Sequence, residues 1–169
     1  VLAGRLQDEG YASLRFDYSG TGDSSGETLD CTVEGWLEDM EAAIEELRRQ
    51  SGNPRIILVG LRFGATLAAL CAQRDPSRIA QLVLWDPVVR GDQYLRELAG
   101  MHLAYMNEEL GQHAVAPADE GGKRFPAEAL GMPISDALAA QMADIDIATR
   151  LPPTRHITVI NSRPSTDIE

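Results

Sequence analysis

The sequence predicts an α/β fold of the doubly wound kind, in which a mostly parallel sheet lies between layers of helices. Four short apolar segments alternate with helical patterns along the 169 residues. These predicted strands are Ala12–Phe16, Ile56–Val59, Leu82–Trp85 and Ile157–Ile160. The last three are almost continuously apolar, which is typical of parallel strands that are covered on both faces. Right-handed crossovers through the intervening helices then give the doubly wound arrangement.

Two helices are predicted between the first three strands. The first starts after Thr32, a good capping residue, and stops at Gly52. Its apolar residues recur at steps of three and four and form one stripe: Val33, Trp36, Leu37, Met40, Ile44 and Leu47. The second helix runs from Phe63 to Gln73 and has hardly any polar face, so we expect it to be buried.

The stretch after the third predicted strand is expected to be helical, with no good strand before residue 157. Helices are predicted near Tyr94–Leu110 and Ser135–Ala143, with a loop at 117–126 between them. Four of the five methionines lie in this stretch: Met101, Met106, Met132 and Met142. They fit either an adaptable lid that faces a ligand or the gap-filling packing of small helices.

These patterns divide the chain into three predicted parts. Residues 1–89 form the amino-terminal part of the core, residues 90–150 a helical lid or cap insertion, and residues 151–169 a returning core strand.

Composition and charge exclude several kinds of partner. The chain has 26 acidic against 15 basic residues and a net charge of −11, whereas nucleic acids and anionic membranes require a basic surface. No apolar run approaches the roughly 18 residues of a membrane span, and no signal peptide opens the chain. Cys31 and Cys71 lack metal-ligand spacing and fit a reduced protein, so we predict a cytoplasmic location and no metal.

A glycine-rich turn follows the first predicted strand. Gly20, Gly22 and Gly26 are spaced one residue away from the dinucleotide-binding fingerprint. That fingerprint also requires an acidic residue at the end of the next strand, which here ends in Val59-Gly60. We therefore interpret the turn as a tight loop and predict no cofactor.

The segment from Ile56 to Ala65 has the order of a strand, a sharp turn and a buried helix. In this context the pattern G-x-S-x-G forms a nucleophile elbow, where a strained turn presents a serine above the helix. Here Gly60 and Gly64 are in place, but the central residue is Arg62.

Together with the stretch Gly10-Tyr-Ala-Ser-Leu-Arg-Phe-Asp-Tyr-Ser-Gly-Thr-Gly-Asp-Ser-Ser-Gly26, this elbow resembles the α/β-hydrolase superfamily over nearly the whole chain. The likeness is closest to the serine-aminopeptidase-like branch, which carries a similar D-Y-x-G-x-G-x-S-x-G turn. The elbow followed by Leu82-Val-Leu-Trp-Asp-Pro-Val-Val89 is also similar to a bacterial subgroup found beside exosortase systems.

The resemblance implies that the four predicted strands correspond to the fourth to seventh strands of an eight-stranded sheet. The family's third strand, which lies between its fourth and fifth, would then be missing. So would the oxyanion-hole loop after that strand and the last strand before the catalytic histidine. We therefore expect the chain to be a slice of a larger protein, lacking both ends.

The resemblance also assigns the candidate catalytic positions. Arg62 occupies the nucleophile position, but a guanidinium has no lone pair to expose and cannot form an acyl-enzyme. Ser24 and Ser25 are the nearest substitutes along the chain. The family's acid position points to Asp167, and an alternative acid position points to Asp86. None of the three histidines, His102, His113 and His156, occupies the family's catalytic position.

Arg62 has two possible roles in place of catalysis. With Phe63 beside it, it could bind a small anionic or acyl-containing ligand at the helix amino terminus. Alternatively, it could form an internal ion pair with Asp86, Asp167 or Asp17.

Three functions remain open from the sequence. The chain could be a catalytically silent binder, or an active hydrolase of esters, thioesters or peptides with a displaced nucleophile. It could also be an interaction protein that uses the methionine-rich stretch as a contact surface. A homo-oligomer is a further possible assembly.

Overall fold

A computed structural model describes residues 2–110, 128–149 and 152–162. Its helices are α1 (Leu2–Asp8), α2 (Val33–Ser51), α3 (Phe63–Arg74), α4 (Gly91–Leu110) and α5 (Asp136–Ala143). Its strands are β1 (Ile56–Leu61), β2 (Ile79–Trp85), β3 (Glu128–Ala129), β4 (Met132–Pro133) and β5 (Ile157–Ile160). One-turn 3-10 helices lie at Thr28–Asp30 and Pro76–Arg78.

The main sheet has the strand order β1-β2-β5, and both pairs of strands are parallel. This confirms the predicted α/β class and three of the four predicted strands. The carboxyl ends of the strands lie in register, with Leu61 opposite Trp85 and Trp85 opposite Ile160. Residues that follow these three strands therefore meet at one edge of the sheet.

Helix α2 follows the sequence pattern closely. The Thr32 hydroxyl accepts a hydrogen bond from the Gly35 amide at 3.0 Å, which caps the helix start. Gly52 ends the helix in the left-handed region, at a φ of 66°. The buried residues of α2 come from the predicted stripe: Val33, Trp36, Leu37, Met40 and Ile44.

Helix α3 is buried as predicted and is tied to the chain that follows β2. Thr66 has no exposed surface, and its hydroxyl donates to the Val88 carbonyl at 2.6 Å. This bond satisfies a buried polar pair between the helix and the segment after β2.

The close approach of β1 and α3 requires a glycine. A Cβ at Gly60 would overlap the Cα of Ala65 and the carbonyl oxygen of Gly64. At Gly64, by contrast, a Cβ would meet nothing within 4 Å among the described residues. Of the two elbow glycines, Gly60 is therefore the one that packing demands.

The predicted strand Ala12–Phe16 is wrong. Residues 11–18 have no regular secondary structure, and Ala12 and Phe16 are exposed. A β-strand forms only by pairing with a neighbouring strand. In the described structure, β1 lies at the edge of the main sheet and pairs with β2 alone, so the segment Ala12–Phe16 pairs with no strand of this sheet. Helix α1, which the sequence analysis did not predict, precedes this segment and buries no residue.

The expectation that the parallel strands are covered on both faces is also wrong for the described part of the chain. Ile56 of β1 and Leu82 and Leu84 of β2 are buried under the helices. The opposite face stays open, and its exposed apolar side chains are Ile57, Val59, Leu61, Trp85 and Ile160. Continuous apolar sequence predicts strands with two apolar faces, but it does not say which segment covers each face.

The stretch predicted to be a helical insertion contains α4 and α5 but also the short antiparallel pair β3–β4, which the sequence analysis missed. Met142 is buried whereas Met101 is 44% exposed, so the methionines do not share one environment. The predicted loop at 117–126 lies outside the described residues. The division at residues 89 and 150, and a lid role for this stretch, stay predictions.

Replacing Gly60 with alanine should lower the free energy of unfolding by about 1–3 kcal/mol, because the new Cβ meets backbone that cannot move aside. Gly100 is the matched control, since it lies exposed within α4 and a Cβ there meets nothing within 4 Å. Gly100→Ala should stabilise the protein by about 0.5–1 kcal/mol. Urea unfolding followed by circular dichroism measures both changes, and a harmless Gly60→Ala would contradict the close approach.

Replacing Thr66 with valine should cost about 1–3 kcal/mol, because the Val88 carbonyl loses its donor in the interior. Thr158→Val on the exposed part of β5 makes the same chemical change at the surface and should stay within about 0.5 kcal/mol. Equal losses of stability for the two variants, measured by urea unfolding, would show that the buried hydrogen bond contributes nothing.

Candidate functional site

The candidate site is the turn between β1 and α3. Arg62 forms this turn with φ 54° and ψ −125°, a conformation that residues other than glycine rarely adopt. Its amide donates to the Trp85 carbonyl at 2.9 Å, and its own carbonyl accepts from the Ala65 amide at 3.0 Å. The turn is thus held between β2 and α3 in the strained geometry of a nucleophile elbow.

The Arg62 side chain lies half exposed at the tip of the elbow and extends toward α4. Its Nη2 is 3.8 Å from Oε2 of Glu97, and both side chains are about half exposed, at 51% and 50%. Its guanidinium carbon is 5.8 Å from the centre of the Tyr94 ring. The contacts of the guanidinium within the described structure therefore come from one face of one helix, where Tyr94 and Glu97 are three residues apart.

The ion pair that the structure describes for Arg62 is with Glu97, which the sequence pattern does not single out. Asp17 instead accepts a hydrogen bond from the Asp23 amide at 3.2 Å within the glycine-rich loop. Asp167 lies outside the described residues. Glu97 was missed because the pattern of α4 does not reveal which of its faces lies over the elbow.

Asp86, the alternative acid, forms hydrogen bonds with the backbone after and at the end of β5. It has a φ of 45°, its amide donates to the Ile160 carbonyl at 2.7 Å, and its carboxylate accepts from the Ser162 amide at 2.7 Å. Asp86 therefore joins the carboxyl ends of β2 and β5.

Phe63 lies under the site in a row of aromatic rings. It stacks on Tyr94 with ring centres 5.7 Å apart and planes 7° apart, and it meets Trp36 edge-on at 6.2 Å. Trp36 in turn contacts Tyr18 at 6.0 Å, and Tyr18 contacts Phe16 at 5.0 Å. These five rings, which we call the aromatic row, connect the glycine-rich loop to α2, α3 and α4.

The two tyrosines of the aromatic row are held neutral. Burial raises the pKa of Tyr94; nearby Arg62 opposes this rise and Glu97 adds to it. Burial, with smaller contributions from Cys71 and Asp39, raises the pKa of Tyr18 to about 12. Neither phenol is therefore placed to act as a base near neutral pH.

The described histidines and serines do not form a catalytic arrangement with the elbow. His102 Nδ1 accepts from the Leu130 amide at 3.1 Å, and the His156 carbonyl accepts from Leu82 at the start of the β2–β5 pairing. Ser24 and Ser25 form turns of the glycine-rich loop through the Ser24 amide and the Ser25 carbonyl. His113 lies outside the described residues.

No metal site is built by the residues that the structure describes, since they contain no cluster of three or more histidine, cysteine or acidic side chains suited to a cation. Cys31 and Cys71 are separate and buried, and burial raises the pKa of the Cys71 thiol to about 11. Across the same described ranges, the helices are too short or too polar to cross a membrane.

Comparison with known proteins identifies the family. The profile of the family described as "Serine aminopeptidase, S33" matches residues 1–130. Over 74 residues, the chain is 39% identical to mitochondrial palmitoyl-protein thioesterase ABHD10 from Bos taurus. The matched stretch covers 44% of this chain and 23% of that protein. Over 72 residues, the chain is 36% identical to 1-acylglycerol-3-phosphate O-acyltransferase ABHD5 from Sus scrofa, and this match covers 43% of this chain and 21% of that protein. The matched stretches thus span less than a quarter of these relatives.

Solved structures share the fold across nearly the whole chain. A putative hydrolase from Agrobacterium vitis S4 has a TM-score of 0.59 at 19% identity, covering 97% of this chain and 72% of that one. Mouse α/β-hydrolase domain-containing protein 10 has a TM-score of 0.52 at 18% identity, covering 97% and 73%. The similarity to the exosortase-associated subgroup stays a prediction. The elbow geometry, the parallel sheet and the matching profile together establish that the chain belongs to the S33 serine-aminopeptidase-like family of α/β-hydrolases.

Proposed function

We propose that this chain is a catalytically silent member of its family that binds a small anionic, acyl-containing molecule at Arg62. The observation that carries the proposal is the placement of a guanidinium at the tip of an intact elbow. Acyl transfer at this position needs an atom with a lone pair that a base can activate, and the guanidinium offers none.

The surroundings of Arg62 favour binding of an anion. The backbone of Arg62 lies at the N-cap of α3, and the amino terminus of a helix attracts negative charge through its dipole and its first amides. Its 3.8 Å separation from Glu97 is beyond hydrogen-bond distance, and the pair is open to solvent. Such a pair is weak, so a ligand carboxylate can compete for the planar N–H groups of the arginine.

The relatives supply the acyl part of the proposal. The name of the ABHD10 relatives describes a thioesterase acting on palmitoyl-proteins, and a thioester contains an acyl carbonyl. A fatty carboxylate would place its carboxylate beside Arg62, where a thioester substrate would place its acyl carbonyl. It has no bond that hydrolysis could cleave.

Isothermal calorimetry with octanoate tests the proposal. The chain should bind octanoate with measurable heat, and Arg62→Ala should abolish the binding while leaving the unfolding transition in place. Arg49→Ala is the matched control, because Arg49 is an exposed arginine of α2 that pairs with Glu46. Binding that survives Arg62→Ala, or is equally lost in Arg49→Ala, would remove Arg62 from the site.

Family membership supports one alternative, an active hydrolase with a displaced serine nucleophile. Incubation with a fluorophosphonate followed by mass spectrometry of the intact chain separates the two proposals. We expect no adduct, because no described serine hydroxyl is hydrogen-bonded to a histidine. A stoichiometric adduct, mapped to Ser24, Ser25 or another serine, would establish the hydrolase instead.

The cytoplasmic location, which the two cysteines suggest, and the possible homo-oligomer stay predictions. The name of the ABHD10 relatives places those proteins in mitochondria.

A further inference from the structure

The anion site at Arg62 contains a fixed negative charge as well as a positive one. Glu97 is the described carboxylate closest to the guanidinium, and it approaches from α4 rather than from the elbow itself. Formally, the charges of these two side chains cancel. A ligand that approaches the Arg62 side chain therefore meets a nearly neutral ion pair.

The position of α4 beside the elbow is fixed by packing. Tyr94 lies one turn before Glu97 and stacks on Phe63. The guanidinium carbon of Arg62 lies 5.8 Å from the centre of the Tyr94 ring. Leu95, the residue after Tyr94, is 7% exposed and belongs to the core. The start of α4 is anchored as well, since Gly91 is buried and its amide donates to the Ile145 carbonyl at 2.9 Å. The backbone of Glu97 is therefore held near Arg62, while its carboxylate is half exposed to water.

A nearly neutral site discriminates between ligands by charge. Doubling the charge of an anion doubles its attraction to the site, but the cost of removing its hydration rises with the square of the charge. The second negative charge is also repelled directly by Glu97 at close range. Singly charged carboxylates are therefore favoured over doubly charged phosphate or sulfate groups.

We infer that Glu97 is a specificity-determining residue that restricts the Arg62 site to monoanions such as carboxylates, and that Tyr94 positions the guanidinium. This inference rests on the proposed anion site, and it names the class of ligand within it. Phosphorylated compounds, which an arginine at a helix amino terminus would otherwise favour, are excluded by the carboxylate on α4.

The test compares anions of different charge and similar shape. Acetate, methanesulfonate and sulfate are titrated into the ¹⁵N-labelled chain at constant ionic strength, and the shifts of the Phe63 and Gly64 amides report binding. The unchanged chain should bind acetate and methanesulfonate more tightly than sulfate. Glu97→Gln should raise the affinity for sulfate by about tenfold and for the monoanions by only about threefold, because the repulsion scales with ligand charge.

The matched control is Glu108→Gln, which removes the same charge from an exposed position near the far end of α4. It should leave all three affinities unchanged. Tyr94→Leu should weaken all three anions by a similar factor without changing their order, whereas Tyr94→Phe should retain binding because the ring is kept.

Two failures are distinguishable. If the unchanged chain binds sulfate at least as tightly as methanesulfonate, or if Glu97→Gln leaves their ratio unchanged, the role of Glu97 is wrong while the anion site stands. If no anion shifts the Phe63 and Gly64 amides in either protein, the anion site is wrong and the inference falls with it.

Discussion

The close approach of β1 to α3 is the constraint on which the site depends. Gly60 leaves no room for a side chain between the strand and the helix, so the chain must reverse direction sharply at the next two residues. Arg62 takes the strained conformation that this reversal requires, and the Trp85 carbonyl holds its amide. The backbone, rather than the residue at its tip, therefore maintains the elbow. A serine and an arginine can occupy the same turn while supporting different chemistry.

A cation at this position changes what the surrounding groups can do. The dipole of α3 and the first amides of the helix can stabilise a developing negative charge, and in the proposed function they instead favour an anion that is already charged. The aromatic row supports Arg62 from below through Phe63 and Tyr94. Glu97 lies 3.8 Å from the guanidinium and, in the inference drawn above, limits how much negative charge the site accepts. The proposed binding site would take its selectivity from α4 and its geometry from the elbow.

Features that depend on residues close together along the chain are predictable from the sequence. The cap at Thr32, the stop at Gly52 and the buried character of α3 follow from local patterns, and the structure confirms each. The position of Arg62 at the elbow tip was also predicted, because a strand, a glycine pair and an apolar helix are read directly from the chain.

Features that depend on distant segments could not be predicted in the same way. The segment Ala12–Phe16 has the composition of a strand, but pairing requires a neighbour that the described structure does not provide. The contact of Arg62 with Glu97 depends on how α4 returns over the elbow, about 35 residues later in the chain. The acids at strand ends were reasonable candidates, yet Asp86 and Asp17 are engaged in backbone contacts that only the folded chain reveals.

The most direct measurement is the side-chain Nε–Hε resonance of Arg62 in the ¹⁵N-labelled chain, followed as a carboxylate is added. If the elbow binds anions, this resonance should shift and its exchange with water should slow as the N–H groups form charge-assisted hydrogen bonds. A resonance that stays unchanged up to saturating carboxylate would contradict the assignment of Arg62 as the ligand-binding group.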